Sequence, residues 1–209
     1  CMYIFLGKYY ESEKKEAEVF LEELKEHDPG RKLCWLLREK QQAVLVCFYG
    51  EEDVRELLKY IKRAVIPACS VRLHDHSVFT WTECKDWHRM SEVERELEEA
   101  CGWHLILGDR VLIECEKISQ MWTYQFIYPA ELENRGRSAV IHMNEEEFAG
   151  AFREFMKSGR REVHTPQELR EVCIRFAYAM INTAKECGTL RDEELIVQRV
   201  LKTILGAVF

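Results

Sequence analysis

Leu33-Cys34-Trp35-Leu36-Leu37 and Ala43-Val44-Leu45-Val46-Cys47-Phe48-Tyr49 are two apolar runs separated by the polar segment Arg38-Glu39-Lys40-Gln41-Gln42. Both are too short for helices, and the second is rich in β-branched and aromatic residues. They read as two strands joined by a short polar turn, a β-hairpin. Upstream, Met2 to Tyr10 reads as a strand. Residues 12–26 then place Ala17, Phe20, Leu21 and Leu24 on one helical stripe, and Asp28-Pro29-Gly30 breaks that helix. Downstream, Val54, Leu57, Leu58, Ile61 and Val65 recur at helical spacing, and Pro67 is expected to end the helix. Cys69 to Leu73 follows as an expected strand. A second helix near 91–101 has Ser91 and Glu94 spaced as a capping box, an apolar face of Val93, Leu97 and Ala100, and Gly102 as its stop. Val111 to Cys115 is the closing strand. The order β-α-β-β-α-β, followed by a helix and a further strand, is a ferredoxin-like split βαβ pattern over residues 1–118, within an α+β chain.

From Tyr128-Pro129 onward the periodicity is helical alone, so residues 119–209 are expected to form an all-α module. Asn144 with Glu147 marks one helix start, ahead of an apolar stripe of Phe148, Ala151, Phe152 and Phe155. Thr165-Pro166-Gln167-Glu168 marks another, combining a cap residue, a first-turn proline and a glutamate three residues on. Its helix carries Leu169, Val172, Cys173, Phe176 and Met180 and stops at Gly188. A last helix after Thr189 bears Val197, Val200, Leu201, Ile204 and Leu205.

Composition narrows the function classes. With 47% hydrophobic and 32% charged residues over 209 positions, the chain buries a core and is not disordered. No apolar run approaches the roughly 18 residues of a membrane span, and Lys8 and Glu11 interrupt the apolar start too early for a signal peptide. The expectation is a cytoplasmic protein without a membrane partner. Nine cysteines without a Cys-x-x-Cys pair fit a reducing compartment, with Cys34, Cys47 and Cys173 read as small buried hydrophobes. A net charge of −7 argues against DNA binding by this chain, because its basic residues alternate with acids along helices. Neither end tapers into a polar tail, which reads as a region of a longer protein.

Chemistry-bearing clusters are few. His74, His76, Cys84 and His88 have metal-ligand residue types, and Cys84 and His88 would share a face on a helix. A polar loop with incidental histidines is the simpler reading. Trp81, Trp87 and Trp103 are candidates for the wall of a small-molecule pocket, against the alternative that they cover the edge of the first module. No Gly-rich phosphate loop is present, since Gly7, Gly30 and Gly50 are isolated. No catalytic set and no cofactor is expected.

The ordering of strand, helix, polar-turned hairpin, helix and strand resembles the nucleotidyl-cyclase-like fold of GGDEF domains. In that family the Gly-Gly-Asp/Glu-Glu-Phe signature occupies the central hairpin turn. Here the matching stretch is Arg38-Glu39-Lys40-Gln41-Gln42, without the glycines and without the acidic metal-binding pair. The resemblance therefore implies a degenerate, non-catalytic domain.

Such domains are similar to the middle region of bacterial AraC-type transcription regulators, many of them two-component response regulators. Met90 to Ile113, Tyr128-Pro129-Ala130-Glu131-Leu132-Glu133, Glu145 to Phe155 and Leu169 to Ala184 carry that similarity. It implies a regulatory or oligomerisation region that couples an N-terminal receiver or other input to C-terminal DNA binding, both outside this chain. Partners would be a second copy or the flanking domains of the same polypeptide. The last helix, through Val197, Val200, Leu201 and Ile204, is the candidate coupling element. A small-molecule or metal sensor is the alternative, and a cyclase-type enzyme the third.

Overall fold

The computed structural model describes residues 1–108, 110–118, 127–162 and 165–188, the side chains of 160–162 excepted. The chain divides into two compact units, Cys1–Met121 and Trp122–Phe209.

The first unit is mixed α and β. Strands β1 (Met2–Phe5), β2 (Lys32–Arg38), β3 (Ala43–Tyr49), β4 (Val78–Trp81) and β5 (Leu112–Glu114) form one open sheet in the order β2-β3-β1-β4-β5. Neighbours are antiparallel except β4 and β5, which are parallel. The helices are α1 (Tyr10–His27), α2 (Val54–Tyr60), α3 (Ile66–Arg72), α4 (Met90–Cys101), α5 (His104–Leu107) and α6 (Cys115–Ile118). The hairpin has the expected strands, with Leu36 opposite Leu45 and Arg38 opposite Ala43. Side chains alternate across the sheet. Met2, Ile4, Val44, Val46 and Phe79 therefore meet Ala17, Phe20, Leu21, Ile61, Val65 and Cys69 of the first three helices in one apolar core. On the other face, α4 packs against β1 and β4.

Several expectations need correction here. Cys69 to Leu73 is not a strand. Ile66–Arg72 is helical with Pro67 in its first turn, and the fourth strand is Val78–Trp81 instead. Pro67 does not end the helix, because a wide π-turn at Ile61–Val65 joins α2 to α3. The buried residues Leu57, Ile61, Val65 and Cys69 recur every four positions. On a regular pitch of 3.6 residues that spacing drifts by about 40° per step. The wide turn takes up drift, and it loosens the ladder where proline lacks its N–H.

The capping box is the second correction. Arg89 precedes α4 without a side-chain cap, and the Glu94 carboxylate is taken instead by a two-nitrogen ion pair with Arg38. Cys34 also departs from expectation: it is exposed on β2, Cys173 is half-buried, and Cys47 is buried as read. Burial pushes the Cys101 and Cys115 thiols up to about 12, so both stay protonated and inert at neutral pH.

The described part of the second unit is helical: α7 (Ala130–Ile141), α8 (Glu145–Glu162) and α9 (Pro166–Glu186). Asn144 Oδ1 accepts from the Glu147 N–H at 3.1 Å, and Thr165 Oγ1 from the Glu168 N–H at 3.1 Å, as the cap signals predict. Phe176 of α9 lies 4.3 Å from the Phe155 ring centroid and 5.8 Å from Phe152. Gly136 brings α7 against α9: a Cβ there would stand 2.9 Å from Phe176 Cζ. The segment around the last expected helix, with Val197, Val200, Leu201 and Ile204, lies outside the described residues.

The Tyr128-Pro129 stretch gains a physical role. The Tyr128 hydroxyl donates to Glu133, Arg137 binds the same carboxylate at 2.9 Å, and the Arg175 guanidinium lies 3.7 Å over the Tyr128 ring. Burial opposes ionisation of Glu133, but the hydrogen bonds from Tyr128 and Arg137 outweigh it and hold the carboxyl below its usual range. A depressed carboxylate stabilises the fold above its unfolded-state pKa of about 4.3 and loses that contribution as pH falls through the folded value. The second unit should therefore weaken on acidification from about pH 5 downward. Thermal melts at stepped pH check this: Glu133→Gln should flatten the acid dependence, and an unchanged slope would remove Glu133 as its source.

Candidate functional site

The two ends of the sheet differ in chemistry. At one end lie the hairpin turn, the end of β1 and the start of β4, since Phe5 faces both Ala43 and Val78. The turn is closed by its own backbone. The Gln42 N–H donates to the Glu39 carbonyl at 3.2 Å, and the Gln42 carbonyl accepts from the N–H groups of Leu6 and Gly7 at 3.0 and 3.1 Å. Gln42 holds a positive φ of 53°, a conformation glycine adopts more readily. Arg38, at the base of the turn, is committed to Glu94.

His74 and His76 sit at this same end, in the turn before β4. The His74 ring stacks on Tyr9 with centroids 3.6 Å apart, and its backbone N–H donates to Glu13 at 3.0 Å. The His76 backbone N–H donates to His74 Nδ1 at 3.2 Å, which engages that nitrogen's lone pair. Cys84 and His88 lie beyond the opposite end of β4. A four-residue strand places roughly 10 Å between its terminal Cα atoms, and Cys84 is three residues further on. The Cys84 thiol donates to the Asp86 carbonyl at 3.3 Å. The four candidate ligands are thus split between the two ends, and no group of three or more metal-ligating side chains converges among the described residues.

At the opposite end is a cavity of about 620 Å³. Its apolar lining includes Phe48, Tyr49, Trp81, Trp87, Val54 and Leu57. Charges around it come from Arg31, Lys32, Glu51, Glu52 and Glu83. Trp81 is buried at the wall, whereas Trp87 is 60% exposed. Trp103, the third tryptophan singled out from the sequence, is not part of this lining; it is buried at the turn after α4.

No family model, curated protein or solved structure matches the chain.

Of the three tryptophans expected at a pocket wall, Trp81 and Trp87 line the cavity, and Cys84, expected as a metal ligand, lines it too. Phe48, Tyr49, Arg31 and the α2 start carry no such mark in the sequence, since they meet Trp87 at the cavity from segments as distant as Arg31, at position 31 against 87. The tripeptide Gly50-Glu51-Glu52 ahead of the Asp53 helix cap is the local signal that a charged loop closes the end of β3. Among the described residues, no helix is long and apolar enough to cross a membrane.

Proposed function

We propose that the chain is a non-catalytic regulatory and self-associating region of an AraC-type transcription regulator, with a degenerate GGDEF-like domain followed by a helical linker. It couples an N-terminal receiver or other input to a C-terminal DNA-binding domain, in a bacterial cytoplasm. The strand order β2-β3-β1-β4, antiparallel throughout, supports the ferredoxin-like part of this reading. The observation that carries the non-catalytic part is the closed hairpin turn. Its Gln42 carbonyl faces the Leu6 and Gly7 amides, so those donors are used internally where a phosphate would need them. Lys40 is the only basic residue within the turn itself, and no carboxylate pair stands there to hold magnesium.

Incubating the protein with GTP and Mg²⁺ or Mn²⁺ should yield no cyclic nucleotide and no pyrophosphate above a protein-free control. Metal-dependent turnover would overturn the reading. The gene beyond Phe209 should encode a helix-turn-helix pair, and its absence would remove the AraC part independently.

A second reading, a small-molecule sensor, is favoured by one observation: the aromatic-walled cavity at the other end of the same sheet. Its metal variant is not favoured, because His74 and His76 lie apart from Cys84 and His88.

A further inference from the structure

We propose that the cavity at the ends of β3 and β4 binds a small organic cation, an alkylated or quaternary ammonium group carried on an apolar body. The inference deepens the sensor reading and does not depend on the regulatory one. Failure of the binding test below would leave the cyclase assay and the flanking-gene test untouched.

Three observations carry it. The first is size and lining. About 620 Å³ falls within the range of small-ligand sites, and Phe48, Tyr49, Trp81 and Trp87 supply aromatic surface. Aromatic faces present negative potential, and tryptophan is the strongest partner for a cation. Trp87 is 60% exposed although it borders a cavity, which leaves its ring surface available to a ligand.

The second is the charge balance. Arg31 contributes little positive field to the cavity, because its guanidinium is bound to Glu52 at 2.7 Å and to Asp28, and lies 3.9 Å over the Tyr60 ring. Lys32 then stands against Glu51 and Glu83. Glu83 meets Lys85 only at 3.7 Å, with the lysine side chain 81% exposed, a pair that water screens. The Cys1 amino terminus also lines the cavity, but it donates to the Thr82 carbonyl at 2.7 Å and burial lowers its pKa, so it adds less than a full charge and Glu51 with Glu83 still outweigh Lys32.

The third concerns anions. The start of α2 points its first amides toward this end, the usual place for a phosphate or carboxylate. Here Asp53 Oδ1 accepts from the Arg55 N–H at 2.7 Å and from the Glu56 N–H at 3.4 Å, and Glu51 and Glu52 precede it. An anion would find those donors taken and three carboxylates beside it. A cation meets the opposite field.

Choline and its neutral isostere 3,3-dimethylbutan-1-ol separate charge from shape. Titrated into the whole chain and followed by tryptophan fluorescence and calorimetry, choline should bind saturably, with the isostere about tenfold weaker. Trp87→Ala and Glu83→Gln should each weaken choline several-fold while leaving the melting curve unchanged, since both side chains reach the surface. Equal affinity for the two probes would mean a merely apolar cavity and overturn the proposal. So would the absence of saturable choline binding, or full-strength binding by both variants.

Discussion

Phe176→Ala should unfold the second unit while leaving the first intact. Phe176 is 1% exposed and sits among Phe148, Phe152 and Phe155, with Gly136 of α7 drawn in against its ring edge. Truncating a buried phenylalanine costs about 3–5 kcal/mol, the sum of lost transfer energy and the cavity left behind. A small helical unit with a total stability of about 5 kcal/mol has little left after that. Among the described residues, the three helices of this unit share this one ring cluster. The readout is a two-phase melt in which only the helical phase moves, together with proteolysis that removes the region after about residue 121. A shift below about 1 kcal/mol would show that the cluster collapses around the gap and that the unit is held elsewhere.

Leu97→Ala should have the corresponding effect on the first unit. Leu97 of α4 is fully buried against the sheet, and its carbonyl accepts from the Thr80 hydroxyl of β4 at 3.0 Å. Loss of its side chain should cost about 3–5 kcal/mol, within the range for buried leucines. Glu94→Gln provides the comparison, because Glu94 lies on the same helix and binds Arg38. Glu94 is buried but the Arg38 side chain is 37% exposed, so water screens the pair from the arginine side, and about 1–2 kcal/mol is expected. Denaturant midpoints of the two variants decide whether apolar contact or the ion pair holds α4 to the sheet. If Glu94→Gln were the more damaging, the ion pair would be the anchor.

The hairpin and the amphipathic helices were legible in the residues for a simple reason. Where one face is buried and the other wet, the side-chain period appears in the sequence. Ala17, Phe20 and Leu21, read as a stripe, are buried together. Val78–Trp81 broke that rule. All four residues of this inner strand are buried, so no alternation marks it, and its Thr-Trp ending looked like a pocket wall. It is both strand and wall. Cys69 to Leu73 failed conversely, because a short run around Ser70 and Arg72 alternates by chance while the chain is still helical.

The Ser91/Glu94 spacing misled because a cation 56 positions away competed for the carboxylate, and no local pattern records such a rival. At the site, Trp81 and Trp87 were visible as unusual residues, but their company was not. Phe48 and Glu51 arrive by way of the sheet, and the split between His76 and Cys84 follows from the position of β4.

The wide turn between α2 and α3 has a consequence for how this chain tolerates change in length. Because Ile61–Val65 holds one more residue than an ordinary turn, the two halves of the helix keep a common inward face. Excising a single amino acid there would let the coil close to regular pitch with no net swing, because the roughly 100° that one residue adds is what the wide turn already takes up. Ile66 and Cys69 would keep facing the core, and the connection into β4 would still arrive from the same side.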